Sequence, residues 1–586
     1  MIVKMKQVTL LISSRDRNAV SRLRKLGVLD VRPVQPPESE DIRAVEKELE
    51  RVRKALSLLR PAEFNPAKTA AGSRPVDEIL ELEKERQKVS GQLEEAKRQT
   101  VWFGRWGRIS LKKLKLLDEW NLPVAFYTGD KKTIVKLPDS VPFKIIHEDR
   151  GTVRFVTFGI KEPLENIPTD PMPKIEIAEL DKEIAGLEKR LTKISKRLEK
   201  MAAGILRIQA REAMLKKQLE ALRVREGMGQ ADSLTYLQGY CPSETVPRIR
   251  KTAERHGWGY WIQDPEDPRD VPTLIHNPRW LRIVQPLFQF MGTLPGYDEM
   301  DVSFVFLGFF SLFYAMLIGD AGYGLIFLGA TLLASRRMRH APREPFRLMM
   351  VLSAATLLWG MFSGTWFGSE ELSRLPVLRS LVVPGLSSFG ENSQAFLMRF
   401  SFIVGVVHLS IARILAAVQK INTPQALAEL GWVPILWSIF FVADQLVLGN
   451  PMPAFAVALL IVGVVLVLFF SNYQKNIFKG ILISLGDLPL SVINSFSDIV
   501  SYIRLFAVGF ATVIVASSFN EMALGSGVDS VLSGLTAALI LILGHGLNIM
   551  LGMMSVLVHG VRLNMLEFSG HLNMEWAGKP YRPFRE

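Results

Sequence analysis

Hydrophobic and polar positions change rhythm several times along this chain, and each change predicts a different element. VKMKQVTLLI at 3–12 alternates apolar and polar, a polar helix-like stretch follows, and GVLDVRP closes the pattern at 27–33. Strand, helix, strand make a small α/β lobe. Ile42, Val45, Leu49, Val52, Leu56 and Leu59 then recur between charged residues as a heptad series, which the Pro-, Ala- and Gly-rich stretch 61–75 interrupts. A second helical run covers Val76–Gln99. Residues 101–174 turn to the strand patterns PVAFYTG, FKIIHE and TVRFVTFGI, parted by Gly, Pro and Asp turns, and predict a second α/β lobe. The strongest periodicity follows: Leu180, Ile184, Leu187, Leu191, Ile194, Leu198, Met201, Ile205 and Ile208, a break at Glu212, then Leu215, Leu219 and Leu222. This spacing predicts a coiled-coil seam, roughly 60 Å long at 1.5 Å per residue.

The expected cytoplasmic domain, residues 1–300, is thus an antiparallel strut. Arms 41–100 and 175–228 pair, lobe 101–174 sits at the far tip, and 1–40 joins 230–275 in a membrane-proximal α/β lobe. After Phe304 the pattern changes to apolar runs of bilayer length. Candidate spans fall at 303–319, 322–335, 347–367, 396–418, 432–449, 453–471, 489–519 and 531–568, so 301–586 is expected to be an α-helical membrane domain of about eight helices. The last two exceed the ~20 residues a span needs and should tilt strongly or project beyond the bilayer. Connection 336–347 carries Arg336, Arg337, Arg339, Arg343 and Arg347 against Glu344, and 472–488 carries Lys475 and Lys479; 520–530 has Glu521 and Asp529 and no cation. That alternation suits eight spans with both termini cytoplasmic. The fold class is multidomain, α plus α/β.

Composition changes this picture little. The hydrophobic share of 48% averages two unlike halves within 586 residues, too many for one core. A net charge of +13 could suggest nucleic acid, but beside apolar spans it reflects positive-inside loops and an anionic lipid surface, and no nucleic-acid partner is expected. A single cysteine, Cys241, excludes an internal disulfide and a multi-cysteine metal site. The opening residues lack a signal peptide's apolar core and cleavage site, so the polar half is expected to stay cytoplasmic. No Walker-type glycine loop or clustered metal ligands mark the polar half, and His147, His256 and His276 read as ordinary residues. No cofactor, metal or catalytic residue is expected.

Candidate chemistry concentrates in SDIVSYIRLFAVGFATVIVASSFN at 497–520. Arg504 is a permanent cation at membrane depth, where charge is costly and deprotonation offers no escape. Water, a carboxylate or a pore must compensate it. Arg562, in the last apolar segment, reads either as its partner or as a snorkelling residue near a helix end. Other polar residues within the spans are Asp320, His408, Arg413, Asp444, Asp498, His545, Asn548, His559 and Glu567. Helix-end or interhelical hydrogen bonding suits Arg413 and Asp444. Asp320, His408 and His559 divide evenly between that reading and lining a water path, histidine being able to relay protons near neutrality. The residues alone read as an ion pathway around an unneutralised arginine.

SYIRLFAVGFA resembles the arginine-bearing helix of the large membrane stator subunit of V-type and archaeal-type rotary ATPases, called subunit I in prokaryotes and subunit a in eukaryotes. HGVRLNMLEF resembles that family's last helix, with His559, Arg562 and Glu567 at matching positions. GDAGYG at 319–324, GTWFG at 364–368 and the entry segment 271–301 resemble further family motifs. Thr512 stands where the eukaryotic helix has histidine, Gly552 where the last helix has glutamate, and Val302–Ser303 where the family often has Pro-Thr. The resemblance implies a non-enzymatic, ion-translocating subunit of a rotary ATPase/ATP synthase. Arg504 would be the essential arginine, Arg562 its partner, and His559, Asp320, His408, Asp498 and Glu567 candidate lining of proton or Na⁺ half-channels. It also implies partners: a proteolipid ring of c/K subunits against the last two helices, peripheral-stalk E/G heterodimers on the cytoplasmic lobes, the central-stalk subunit d/C, and membrane lipids. The short tail and single cysteine lean towards a prokaryotic plasma membrane. An ion-coupled secondary transporter with a regulatory coiled coil is the rival, but no internal repeat supports it; a purely structural tether leaves Arg504 unexplained.

Overall fold

The computed structural model describes residues 1–16, 18–59, 75–130, 141–149, 152–160, 167, 169–173, 175–202, 204–339, 341–390, 393–473, 477–525, 527 and 529–585. The Pro-, Ala- and Gly-rich break at 61–74 and the loop cation Lys475 lie outside the described residues. The chain divides into two units: Met1–Ser13, Ser21–Val31 and Gln238–Arg585 in one, Ser14–Val20 and Arg32–Leu237 in the other.

The first unit opens with β1 (Met5–Ser13), α1 (Ala19–Leu26) and β2 (Asp30–Arg32). β1 and β2 share a sheet with β7 (Leu234–Pro242) and β8 (Gly259–Gln263) in the order β2-β7-β1-β8; β6 (Gly229–Ala231), of the second unit, pairs antiparallel with residues 234–236. β1 and β8 run antiparallel from Gln7↔Gln263 to Leu11↔Gly259. Alternation buries Met5, Val8, Leu10 and Ile12, as a half-buried strand should.

In the second unit, α2 (Glu40–Leu58) starts at Ser39, whose hydroxyl accepts the Ile42 amide at 3.3 Å, with Glu40 and Asp41 favourably placed in the first turn. Its buried stripe, Ile42, Val45, Leu49 and Val52, packs in one cluster with Ile208, Leu215 and Leu219 of α6 (Ile205–Glu226). Each such side chain contributes about 1.5–3 kcal/mol by burial. α3 (Pro75–Trp106) packs likewise on α5 (Ile177–Ala202). Cross pairs Arg223–Glu46 at 2.7 Å and Arg53–Glu212 at 3.3 Å, and Arg197–Glu78 at 2.7 Å and Arg190–Glu85 at 3.4 Å, show both packings to be antiparallel. The break expected at Glu212 is not there: α6 runs through it, and the interruption precedes it at Gly204. Glu212 keeps the helix because Lys216 at 2.6 Å and Arg53 hold its carboxylate, and they lower its proton affinity below the ordinary glutamate range. The far end of α3 seals a three-stranded antiparallel sheet of β3 (Val124–Gly129), β5 (Thr152–Phe158) and β4 (Phe143–Asp149), in that order. Trp102 and Trp106 meet Phe126 edge-on at 4.9 and 5.0 Å. α4 (Leu111–Glu119) flanks β3.

The rest of the first unit contains α7 (Val246–His256) and α8 (Gln285–Met291). Then come α9 (Ser303–Ile318), α10 (Ala321–Arg337), α11 (Arg343–Ser363) and α12 (Ser393–Gln419). α13 (Gln425–Leu448), α14 (Ala454–Phe470), α15 (Ile477–Ser501), α16 (Ile503–Leu524) and α17 (Val531–Ser555) complete the bundle. Two π-helical turns, Val556–Gly560 and Leu563–Phe568, continue α17. Among the described residues, five helices are long and apolar enough to cross a membrane; two of these, Phe478–Leu524 and Val531–His571, run 47 and 41 residues. α9 and α10 pass that test only together, across a 119° bend, and α14 is shorter. The expected count of eight is therefore not reached by length and apolarity alone.

The bend has a local cause. Gly319 takes a left-handed φ of 69°, and Asp320 then caps α10 by accepting the amides of Gly322 and Tyr323 at 2.8 and 3.2 Å. α11 comes so close to this corner that a Cβ on Gly360 would lie 2.1 Å from the Ala321 amide nitrogen.

Candidate functional site

Tyr502 interrupts the helical course between α15 and α16 and leaves Arg504 in the first turn of α16. Across from it, Arg562 stands between the two π-helical turns, at the start of the second, which carries Glu567. On an α-helix, residues five apart diverge by about 140° around the axis. The wider i→i+5 turn of a π-helix sets them nearly one above the other. Glu567 thereby faces both arginines: Arg504 Nη2 donates to its Oε1 at 3.2 Å, and Arg562 Nε lies 3.4 Å from the same oxygen. Arg504 Nε donates to the Ser501 carbonyl at 3.0 Å. The carboxylate is 4% exposed against 23% for Arg504 and 53% for Arg562, so it is the buried member of the trio. The arginine expected to be unneutralised is thus paired, but with a carboxylate it must share. Two guanidinium groups and one carboxylate leave one net positive charge, and Glu567 Oε2 has no partner.

His559 lies within Coulombic reach of both arginines, its Nδ1 buried and unpartnered. His408 is fully buried between Phe309 and Phe568, with ring centroids 4.1 and 4.4 Å away, and bonds through Nδ1 to the Tyr502 hydroxyl at 2.8 Å. The fold therefore gathers Arg504, Arg562, Glu567, His559 and His408. Asp498, one helical turn and a half before Arg504, enters through a chain of charges: Lys420 to Glu429 at 2.6 Å, Glu429 to Arg413 Nη1 at 2.8 Å, Arg413 Nε to His571 Nδ1 at 3.1 Å, and His571 Nε2 to Asp498 at 3.0 Å. An arginine nitrogen only donates, so His571 Nδ1 accepts and Nε2 carries the proton towards Asp498. Arg413 also stacks over Trp432 at 4.9 Å. It is an interior ion-pair member, consistent with the structural reading given to it above.

Asp320 is placed elsewhere. Its carboxylate accepts four backbone amides, those of Gly322, Tyr323, Phe367 at 3.0 Å and Gly368 at 2.9 Å, at the bend between α9 and α10. From Arg504, α16 runs sixteen residues, about 24 Å at 1.5 Å each, before Asn520 meets this corner by donating to the Phe367 carbonyl at 2.7 Å. α16 can lie against α9 because position 509 is glycine: a Cβ there would sit 2.3 Å from the Met316 carbonyl oxygen. Sequence reasoning missed Glu429, Tyr502 and His571. The last could have been found from its spacing, one α-helical turn after Glu567.

An apolar helical bundle with helices long enough to cross a membrane, and with cations and carboxylates paired in its interior, defines the class of integral membrane proteins. Curated relatives specify it. The chain is 31% identical to V-type ATP synthase subunit I of Borreliella burgdorferi and 28% identical to V-type ATP synthase subunit I 1 of Treponema pallidum, each over all of both chains. It is 25% identical to A-type ATP synthase subunit I of Methanocaldococcus jannaschii over 61% of this chain and 56% of that one. No family model matches. The crystal structure of the cytoplasmic N-terminal domain of subunit I, homolog of subunit a, of V-ATPase aligns over 44% of this chain and all of that one at 15% identity and a TM-score of 0.24, too slight a likeness to bear on the fold. The chain belongs to the subunit I family of V-type and A-type ATP synthases. It is accordingly a membrane stator subunit of a rotary ATPase and does not itself hydrolyse ATP.

Proposed function

We propose that Arg504 is the ion-release point of this stator, tempered by Glu567 and assisted by Arg562, and that a rotor-ring carboxylate passes it. The observation that carries this is the shared carboxylate: one net positive charge is left over on guanidinium groups that are partly exposed beside a buried Glu567, within reach of an acid from outside the chain. A ring carboxylate facing lipid is held neutral by desolvation. Opposite Arg504 its ionised form is favoured by about 4 kcal/mol at 4 Å and an effective dielectric of 20, roughly a thousandfold in proton affinity. Glu567 competes for the same guanidinium, which weakens the ring's hold and lets the next carboxylate take its turn. The permanent charge also bars direct leakage between two half-channels. His559, His408 and Asp498 line the half-channel on the Arg504 side, and Asp320 holds the opposite corner in shape.

The same reading extends to the whole chain. Residues 1–300 form the cytoplasmic domain, with lobes 1–40 plus 230–275 and 101–174 and arms 41–100 and 175–228, and its lobes bind E/G peripheral stalks and the central-stalk subunit d/C. Residues 301–586 cross a prokaryotic plasma membrane eight times, α9 and α10 counting singly on either side of their bend; the alternating loop charges support that count. The test is ATP-driven ion pumping by reconstituted holoenzyme carrying Arg504→Ala, with assembly checked on the same preparation. Pumping should be lost with assembly intact; pumping near the wild-type rate overturns the reading.

A further inference from the structure

The π-helical turn that aims Glu567 is followed by a serine whose hydroxyl bonds over an unusual span. On the α-helical turns of this bundle, serine hydroxyls reach the carbonyl four residues back, as Ser353 does to Met349 at 2.6 Å and Ser401 to Leu397 at 3.0 Å. Ser569, 1% exposed, reaches five residues back instead, to the Asn564 carbonyl at 3.0 Å. That span is the i→i+5 width of a π-turn. A second donor fixes the direction of the bond. The Trp576 indole nitrogen, which can only donate, lies 2.9 Å from the same hydroxyl oxygen. The hydroxyl accepts from Trp576, so its own proton goes to Asn564.

Trp576 is itself held from several sides. Its backbone takes a left-handed φ of 55°, a strained conformation for a bulky residue that persists only where the surroundings over-determine it. Glu299 does so: its Oε1 accepts the amides of Glu575 at 2.6 Å and Trp576 at 3.2 Å, while its Oε2 accepts that of Gly296 at 2.7 Å. Two residues on, Gly578 donates to the Leu294 carbonyl at 3.0 Å. The approach there is so close that a Cβ on residue 578 would lie 2.1 Å from the Pro295 carbonyl oxygen. The indole ring packs on Phe288 of α8, with centroids 5.6 Å apart. Backbone and ring are thus both pinned, and the N–H is presented to Ser569.

We propose that Trp576 is a positioning residue: acting through Ser569, its indole fixes the π-turn in which Glu567 serves both arginines. The proposal rests on reading Arg504 as the ion-release point. An α-turn is the default for a helical chain, and π-turns are rare. With the two bonds removed, the turn relaxes towards α, where residues 562 and 567 diverge by about 140° around the axis. Glu567 then turns away from the arginines, and a passing ring carboxylate meets their full charge. The clasp therefore tunes the arginine site from outside it, without touching an ion or the ring.

The test uses reconstituted holoenzyme carrying Trp576→Phe, which keeps a ring and removes the donor, and Ser569→Ala, each alone and combined with Glu567→Gln. Arg504→Ala is run alongside, and assembly is measured for all. Each single variant should lower ATP-driven pumping severalfold, and neither should lower it further once residue 567 is glutamine. Hydrogen exchange supplies a readout that a loosened tail would not give. Amides of Leu563–Phe568 should exchange about two- to tenfold faster, the worth of one internal hydrogen bond, while those of Tyr581, Arg582 and Phe584 keep wild-type protection. If Trp576→Phe does not assemble, Ser569→Ala, which leaves the tail's backbone bonds intact, decides alone. Wild-type pumping and exchange in Ser569→Ala while Arg504→Ala is inactive overturn the clasp and leave the arginine reading standing. Losses that add to those of Glu567→Gln, or faster exchange of the tail amides, assign the effect to packing and also overturn it. Pumping by Arg504→Ala overturns the arginine reading itself.

Discussion

On the reading proposed above, Glu567 sets how strongly the site holds its rotor. Bonded to Arg504 at 3.2 Å and lying 3.4 Å from Arg562, it would withhold part of the charge that a passing carboxylate meets. Glu567→Gln removes that competition, so the ring should be gripped rather than passed. ATP-driven pumping and coupled hydrolysis should fall together by about tenfold or more, from a Coulomb term of about 4 kcal/mol at 4 Å, with the complex still assembled. Rates equal to wild type would make Glu567 a mere anchor for Arg562. Glu429 makes a different prediction. It neutralises Arg413 and Lys420, with Arg413 and Glu429 only 14% and 10% exposed. Glu429→Ala strands a buried guanidinium and should cost about 3–5 kcal/mol, visible as a fall of many degrees in the melting temperature of purified protein, whereas Lys420→Ala, at a half-exposed site, should scarcely move it. The arginines could be picked out in the sequence because a permanent charge within an apolar run has few explanations. Glu567's bond to them could not, because apolar periodicity does not distinguish an α-turn from the π-turn that rotates residue 567 beneath 504.

At the scale of elements, what was legible follows periodicity and what was not follows tertiary contact. The stripe from Ile42 to Val52 and that from Leu180 to Leu198 recur every three or four residues, and the antiparallel helices of the arm follow from burying them. Glu212 misled because a charge at a seam position reads as a break; only the fold shows Arg53 reaching across to it. The sign of its pH effect is fixed by that contact. Its carboxyl loses protons more readily folded than unfolded, so its contribution is complete above the ordinary value of 4.5 and disappears as pH falls through the lower folded value. Glu212→Gln should therefore raise hydrogen exchange in α6 modestly at pH 7, by the ~0.2–1 kcal/mol of an exposed pair, and leave it unchanged well below pH 4. Equal sensitivity at both pH values would assign the effect to packing. The 119° corner between α9 and α10 was legible only as a glycine–aspartate signature; its angle depends on the amides of Phe367 and Gly368, which come from forty-odd residues downstream.

For the first unit as a whole, the residues after the last helix matter more than their composition suggests. β10 (Lys579–Pro580) pairs parallel with β9 (Pro272–Thr273), and Lys579 reaches Asp270 at 2.8 Å. Tyr581 donates to the Val28 carbonyl at 2.6 Å, Arg582 gives its amide to Asp30 at 2.9 Å, and Phe584, 2% exposed, lies under Arg24 with its amide on the Leu29 carbonyl. Burial raises the Tyr581 hydroxyl's proton affinity, so it stays a donor at every physiological pH. Nothing in the string KPYRPFRE announces this, because its partners are backbone and side-chain groups of residues hundreds of positions earlier. The helix presenting Arg562 and Glu567 is thereby tied to the sheet that begins the chain, and load taken by that sheet would reach Arg562 through the 18 residues that separate it from Tyr581. Tyr581→Phe removes one bond and should cost about 0.5–1.5 kcal/mol. Replacing Tyr581, Arg582 and Phe584 together with alanine should free Val28–Asp30 and Pro272–Thr273 to exchange, and should lower the number of ions pumped per ATP while leaving hydrolysis near wild type. Unchanged coupling with the tail demonstrably released would show that the last helix is held in place by the bundle alone.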